Sequence, residues 1–179
     1  MKYLHVPVQS GCDDVLKRMK RLYTVGEYRD MLARCREKVP GVSVTSDFIV
    51  GFCGESDASF AKTMDLVRES HFKNSFIFKY SERPGTPAAR MPQLEPALIK
   101  QRAAILRSLG ENKHRQYAEQ FVGRVLEVVV EGGSANGYSR GLSRNYLPVL
   151  FKTDFRLKGK RVWIKALEWK TDGLHGVLI

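Results

Sequence analysis

The sequence predicts an α/β fold, half of a parallel (β/α) barrel, followed by a small antiparallel β-barrel of the OB-like kind. Three observations carry the prediction. Residues 1–87 alternate strand and helix patterns in the order β-α-α-β-α-β, which implies a parallel sheet with right-handed crossovers. Each of these three strands runs into a polar turn, giving half a barrel or a small open sheet. From Phe121 onward, short strand patterns separated by turn signals follow one another closely, as in a small closed barrel. The expected domains are 1–120, including a long connecting helix, and 121–179.

Residues 3–9 alternate and carry Val6 and Val8, so they read as a short strand ending at Gln9-Ser10-Gly11. Asp13 is the expected N-cap of a helix through Val15, Leu16 and Met19. The basic run Lys17-Arg18-Met19-Lys20-Arg21 follows. Thr24, with Glu27 three residues on, is a capping box, and Tyr28, Met31, Leu32 and Cys35 form the apolar stripe of the helix it opens. Pro40-Gly41 ends that helix. A strand over 42–50 leads into the glycine turn Gly51–Glu55. Asp57 is the expected cap of a third helix, with Phe60, Met64 and Val67 on one stripe. A third strand, 75–80, enters Ser81-Glu82-Arg83-Pro84-Gly85. Residues 88–97 read as a connection and 98–120 as a helix that Gly110 weakens locally. Strands are then expected over 122–130, 138–143, 147–151, 162–169 and 173–179, with a turn cluster at Glu131–Gly137.

The chain carries a formal charge of +11, with pI near 9.7. Such an excess suits a polyanionic partner such as nucleic acid, or a merely soluble basic surface. No apolar run approaches the roughly 20 residues that span a bilayer. The first residues are too few and too polar for a signal peptide, so a cytoplasmic protein is expected. Cys12, Cys35 and Cys53 form no C-x-x-C pattern, which argues against a zinc site or a disulfide framework. Cys35 reads as a small core residue; Cys12 and Cys53 are either near a ligand or ordinary thiols. The four histidines form no spaced metal set, so no metal site is expected, and there is no phosphate loop or Ser-His-Asp pattern.

In a parallel sheet the turns after the three strands lie side by side. The candidate ligand residues are therefore Gln9 and Ser10, Gly51, Gly54 and Glu55, and Tyr80 and Ser81. Their amide, hydroxyls, carboxylate and free backbone N–H groups suit a nucleoside carrying ribose and amino-acid parts. Asp47, in an apolar strand, either pairs with a cation or hydroxyl in a site or makes a structural hydrogen bond. Arg83 either binds a carboxylate or phosphate or is a solvated loop residue. Residues 121–179 hold ten Lys/Arg against five Asp/Glu. There Arg140 and Arg144, beside Tyr138 and Tyr146, are candidate RNA contacts, since cations meet phosphates while aromatics stack on bases. Trp163 and Trp169 serve either that surface or the core.

Several segments together resemble one family. His5-Val6-Pro7-Val8-Gln9-Ser10-Gly11-Cys12-Asp13 is similar to the PVQSG segment of the radical S-adenosylmethionine methylthiotransferases. Leu16 to Arg21 with Tyr23-Thr24 resembles the helix that follows it. Ser46 to Glu55 resembles SDFIVGFPGE, with Cys53 for Pro, and Tyr80 to Ala88 resembles YSPRPGTPA, with Glu82 for Pro. The C-terminal region resembles a TRAM domain, the RNA-binding barrel that ends these enzymes. The PVQSG form and Phe76-Ile77-Phe78 favour the branch that modifies tRNA.

The resemblance implies a transferase. An iron–sulfur cluster on a C-x-x-x-C-x-x-C motif cleaves S-adenosylmethionine reductively, and a 2-methylthio group is added to isopentenyladenosine next to the tRNA anticodon. It also implies S-adenosylmethionine and [4Fe-4S] clusters as cofactors, and tRNA as partner. By the resemblance, Gln9 and Ser10 face the cofactor's ribose and amino-acid part, Gly51 to Glu55 line its adenine side, Tyr80 and Ser81 close the pocket, and Arg83 lies near substrate or cofactor. The chain contains no C-x-x-x-C-x-x-C, and its thiols stand 23 and 18 residues apart. It is therefore expected to be a C-terminal part, the second half of the barrel plus the TRAM domain. It would be inactive alone and would depend on a missing N-terminal half or a partner chain. The alternative expectation is a non-catalytic RNA-binding module built on the C-terminal barrel.

Overall fold

A computed structural model describes residues 2–133 and 137–179. Ser134, Ala135 and Asn136, within the turn expected at 131–137, lie outside the described residues. Two compact units result, one of residues 4–40 and 44–114 and the other of residues 1–3, 41–43 and 115–179. Among the described residues no helix is long and apolar enough to cross a membrane.

The first part of the chain runs β1 (Tyr3–His5), α1 (Asp13–Arg18), α2 (Val25–Lys38), β2 (Ser43–Val50), α3 (Asp57–Glu69) and β3 (Asn74–Lys79), and then α4 (Pro96–Glu119). The sheet order is β1-β2-β3, with β2 and β3 parallel and Gln9 bridging Phe48 in parallel. This is the α/β half-barrel architecture that the β-α-α-β-α-β order implies. Phe48 and Val50 of β2 are fully buried, and Phe48 meets Phe72 edge-on at 5.8 Å. The opposite face carries Asp47 beside Phe76 and Ile49 beside Phe78 in register. Phe76 and Phe78 are exposed.

Local signals set most helix starts, and two were captured by distant groups. The capping box forms as expected, with Thr24 accepting from the Glu27 N–H and the Glu27 carboxylate accepting from the Thr24 N–H at 2.7 Å. Asp13 is not the cap of α1, because the N-cap is Cys12 with no side-chain bond. The Asp13 carboxylate instead accepts from the Val25 N–H at 2.7 Å, at the start of α2. Ser56, not Asp57, caps α3, accepting from the Ser59 N–H. The strand expected over 3–9 is regular only over Tyr3–His5.

Gly110 does not interrupt α4, which is continuous over 24 residues. A methyl group at Gly110 would sit in ordinary contact, 3.4 Å from the Ser75 Cβ. The Gly110→Ala variant should therefore gain about 0.5–1 kcal/mol in urea unfolding, because alanine loses less backbone freedom in a helix. A loss of stability would show that the helix needs closer approach to β3 than this spacing.

The second part is a closed five-stranded barrel of β4 (Val125–Gly133), β5 (Tyr138–Ser143), β6 (Pro148–Lys152), β7 (Arg161–Lys170) and β8 (Gly173–Leu178), in the order β4-β5-β6-β8-β7. Four neighbouring pairs are antiparallel, whereas β6 and β8 run parallel because β7 crosses over between them. The barrel is mixed, and closure removes every exposed sheet edge. Inward positions such as Val128, Val149, Phe151, Ile164 and Leu174 are fully buried. Trp169 packs against this core, while Trp163 is 55% exposed on the outer face of β7.

Candidate functional site

A cavity of about 940 Å³ is lined by segments following all three strands of the α/β unit: Gln9 after β1, Phe52 after β2, and Tyr80, Ser81 and Arg83 after β3. Its volume lies within the range of small-molecule sites, roughly 300–1,000 Å³. The structure thus brings Gln9, Tyr80, Ser81 and Arg83 together on one wall system. The end of α1 contributes Lys17, Arg18, Met19, Lys20 and Arg21. With Lys79 and Arg83, six cations line the cavity among the described residues, and Asp47 is the one carboxylate among them. Ile49, Phe52, Phe78 and Met91 supply apolar surface. The basic run is visible in the sequence, but nothing local ties it to the strand ends.

Two backbone features aim this lining. The N–H of Gln9 donates to the Asp47 carbonyl, and the Gln9 carbonyl accepts from the Ile49 N–H, both at 2.9 Å. These bonds to β2 hold Gln9 at φ +73°. Helix α1 ends in a Schellman motif: the Lys20 N–H donates to the Lys17 carbonyl and the Arg21 N–H to the Leu16 carbonyl, each at 3.0 Å. Lys20 takes the left-handed position, φ +58°, that glycine usually fills there. Left-handed backbone costs a non-glycine residue about 1–2 kcal/mol, and such outliers gather at functional sites. Both residues line the cavity.

Asp47 is paired. The His5 Nε2 lies 3.2 Å from its carboxylate, and the His5 Nδ1 lies 2.8 Å from the Thr45 hydroxyl. The Tyr80 ring meets Phe52 edge-on at 5.0 Å. The Tyr80 hydroxyl is buried beside Cys53 without a hydrogen-bond partner of normal geometry.

Ser10, Gly51, Gly54 and Glu55 do not line the cavity. Ser10 is buried, and its hydroxyl accepts from the Cys12 N–H at 3.2 Å and lies 3.4 Å from the Thr63 hydroxyl. Gly51, at φ +79°, lies under α4, where a Cβ would come within 2.5 Å of Ile99. A Cβ on Gly54 would lie 2.7 Å from the Arg18 guanidinium. Glu55 is buried against Arg102 of α4 at 2.8 Å, and Arg102 also donates to the Glu55 carbonyl at 2.8 Å and to Asp57 at 2.6 Å. Burial pushes the Glu55 carboxyl up, while Arg102 and the Gly51 N–H pull it back. The glycine turn therefore docks on α4, and only Phe52 from its middle reaches the cavity.

On the barrel, Arg144 lies 3.6 Å and Arg161 3.2 Å from the half-buried Glu127 carboxylate, beside a cavity of about 460 Å³ that Tyr146 also lines. Arg140 is exposed on β5 and does not line that cavity. Tyr138 and Trp163 are exposed aromatics on the barrel's outer surface.

The amide of Gln9 and the hydroxyl of Ser81, with the Tyr80 ring, Phe52 and Ile49 on the same cavity, fit a ligand that joins an aromatic base to polar groups. The thiols do not make a cluster ligand set. Cys12 and Cys53 are buried, the Cys53 thiol donates to the Ala88 carbonyl at 3.3 Å, and Cys35 on α2 contacts the Met31 sulfur at 3.6 Å. Among the described residues no three His, Cys, Asp or Glu side chains are grouped to hold a metal. The described residues of this chain do not fit an iron–sulfur cluster.

Residues 1–67 match the model of the radical SAM superfamily. The chain is 42% identical over 177 residues to a tRNA-2-methylthio-N(6)-dimethylallyladenosine synthase of Coxiella burnetii strain RSA 331, an alignment that covers 97% of this chain and 40% of that protein. A protein of the same name from Psychromonas ingrahamii is 40% identical over 182 residues, covering 100% of this chain and 38% of the relative. One from Alkalilimnicola ehrlichii is 42% identical over 180 residues, covering 99% and 40%. The chain spans about two fifths of the length of these curated relatives.

Proposed function

We propose, from the premise that this chain belongs to the radical S-adenosylmethionine methylthiotransferase family, that it serves tRNA modification, holding part of the S-adenosylmethionine and tRNA sites. The methylthiolated nucleoside would be the dimethylallyladenosine named for its relatives. One observation carries the reading: a cavity at the ends of parallel strands with, among the described residues, six cations, a single carboxylate and apolar walls. Gln9 and Ser81 would bind and orient S-adenosylmethionine, with the Tyr80 ring closing the pocket against it. Lys17, Lys20, Arg21 and Arg83 would hold the phosphates on either side of the target nucleotide. Phe52 and Ile49 would keep water from the base. On the barrel, the proposed TRAM domain, Arg140 and Arg144 would add contacts to the RNA backbone.

Affinity for an anticodon stem-loop RNA should fall on the order of a hundredfold between 50 and 200 mM salt if about four phosphates are contacted, since each contact releases counterions. Fluorescence anisotropy reads this directly. An absence of binding at 50 mM salt defeats the reading. Treated alone with iron and sulfide, the chain is expected to develop no cluster absorbance and to leave S-adenosylmethionine intact, and robust cleavage would overturn that expectation.

A second reading is a non-catalytic RNA-binding module centred on the barrel. It draws on Trp163, exposed on β7 between Arg161 and Lys165. Replacing Lys17, Lys20 and Arg21 by glutamate separates the two readings: the cavity reading requires a loss of RNA affinity, and the module reading requires none.

A further inference from the structure

We infer that the cavity on the outer face of the C-terminal barrel, lined by Glu127 and Tyr146, is a base-reading site that selects guanine in single-stranded RNA. The inference rests on the reading that this barrel touches RNA, and it extends that reading from backbone contact to recognition of one base.

The cavity, of about 460 Å³, lies where three strands run side by side. In register, Val129 of β4 stands between Leu142 of β5 and Arg161 of β7. Val128 and Val130 are buried in the barrel core, so Glu127 and Val129 face outward. Val129 and Leu142 give the lining apolar surface, and Glu127 beside them has only 17% of its side chain exposed. The Glu127 carboxylate has acceptor capacity to spare. Its Oε1 accepts from Arg161 at 3.2 Å, while its Oε2 lies 3.6 Å from Arg144, beyond hydrogen-bond distance. A carboxylate offers about four lone-pair sites. Both arginines are largely exposed, 58% for Arg144 and 77% for Arg161, and such pairs are weak. Tyr146 lines the same cavity, and its ring packs on Tyr3 at 4.6 Å between centroids. Its backbone is left-handed, φ +60°, which is an outlier for a bulky residue. The Tyr146 N–H donates to the Ser143 carbonyl at 2.9 Å and the Leu147 N–H to the Ser143 hydroxyl at 3.1 Å, and these bonds hold the turn. Backbone strain of this kind gathers at functional sites.

The charges argue against a phosphate as the occupant. Arg144 and Arg161 are matched by Glu127 and the exposed Glu131, so the described lining is neutral. A flat, uncharged ligand with hydrogen-bond donors fits it better. Among the RNA bases, guanine alone presents two adjacent donors, N1–H and the N2 amino group, beside an acceptor, O6. With N2 at Oε2 and N1 at Oε1, O6 comes to the side of Arg161. Adenine and cytosine set a ring acceptor next to their amino group, which the carboxylate repels. Uracil sets its single donor between two carbonyls. The face of the base is left to stack on an aromatic ring, as single-stranded bases do, and Tyr146 supplies one.

The test uses three labelled single-stranded RNAs, UUGUU, UUAUU and UUIUU (I, inosine), titrated into the full chain at 50 mM salt and read by fluorescence anisotropy. Inosine keeps N1–H and O6 and lacks the N2 amino group. The guanosine RNA is expected to bind about tenfold tighter than the adenosine RNA, with inosine between them. In Glu127→Gln, where one acceptor becomes a donor, the preference for guanosine over adenosine should fall below about threefold. All RNAs are titrated into the same sample, so loss of folded protein cancels from the ratio. Equal affinities for guanosine and adenosine in the unaltered chain, or for guanosine and inosine, would overturn this inference and leave the RNA reading standing. A preference that survives in Glu127→Gln would overturn the assignment to this cavity. Failure to bind any of the three, in a chain that still binds the anticodon stem-loop, would overturn this inference alone. Failure to bind the stem-loop as well would remove the RNA reading, and this inference with it.

Discussion

Replacing Arg102 by methionine is expected to lower the stability of the α/β unit by about 3–5 kcal/mol, the cost of leaving a buried carboxylate without its cation. Arg102 and Glu55 have only 4% and 2% of their side-chain surface exposed, so solvent does not screen the pair. The second partner, Asp57, is 96% exposed and contributes little. The Arg102 ring contact with Phe60, 5.4 Å from guanidinium to centroid, is replaced by a methionine–aromatic contact of similar size. The loss therefore reports the charge. In most domains it would remove a large share of the total stability, about 5–15 kcal/mol.

The deficit should depend on pH. Burial already raises the Glu55 carboxyl, and Arg102 opposes that shift. Without Arg102 the folded-state value rises further above the unfolded one, so the folded variant takes up a proton more readily. A raised folded value gives stability that is present at low pH and lost as pH rises through the folded value. The variant should thus recover part of its deficit between pH 8 and pH 5. Urea unfolding followed by helical circular dichroism at both pH values checks this. A loss below about 1 kcal/mol at pH 8, or one that is the same at pH 5, would show that Glu55 is not held as a buried charge.

The triple variant Lys17→Glu, Lys20→Glu, Arg21→Glu should weaken binding of the anticodon stem-loop on the order of a hundredfold at 50 mM salt. It should also reduce the slope of log affinity against log salt by roughly two to three, because three counterion-releasing contacts disappear. Arg18 is left in place because its guanidinium lies over Gly54, where it supports the turn. A control with the same change of net charge, Arg34→Glu, Lys38→Glu, Lys62→Glu, alters exposed residues outside the cavity. It should keep most of its affinity and its salt slope. Equal losses in the two triple variants would mean that RNA responds to overall charge alone, and the cavity would lose its claim to the phosphates.

The features legible in the chain were those whose cause is local. The Thr24–Glu27 capping box, the α2 stripe and the strand Tyr138–Ser143 each depend on residues a few positions apart, where backbone geometry alone sets the spacing. The family likeness was legible for the same reason, since it rests on contiguous segments. Asp13 and Asp57 were misread as caps because a carboxylate near a helix start can serve any donor or cation that folding brings to it. Asp13 serves the start of α2, and Asp57 serves Arg102.

The glycine turn shows the same limit at the site. Gly51, Gly54 and Glu55 look like a ligand loop in one dimension, yet Ile99 and Arg102, more than forty residues later, claim the turn for packing. The run Lys17–Arg21 looks like a solvated helix end until the turns after β1 and β3 meet it around one cavity. The sequence by itself determined the order of elements, the capping chemistry, the excess of positive charge and the absence of a cluster-ligand spacing. Only tertiary structure decided which polar residues remain free to meet a ligand. A buried charge must find a partner wherever the fold supplies one, and no local pattern records which partner that is.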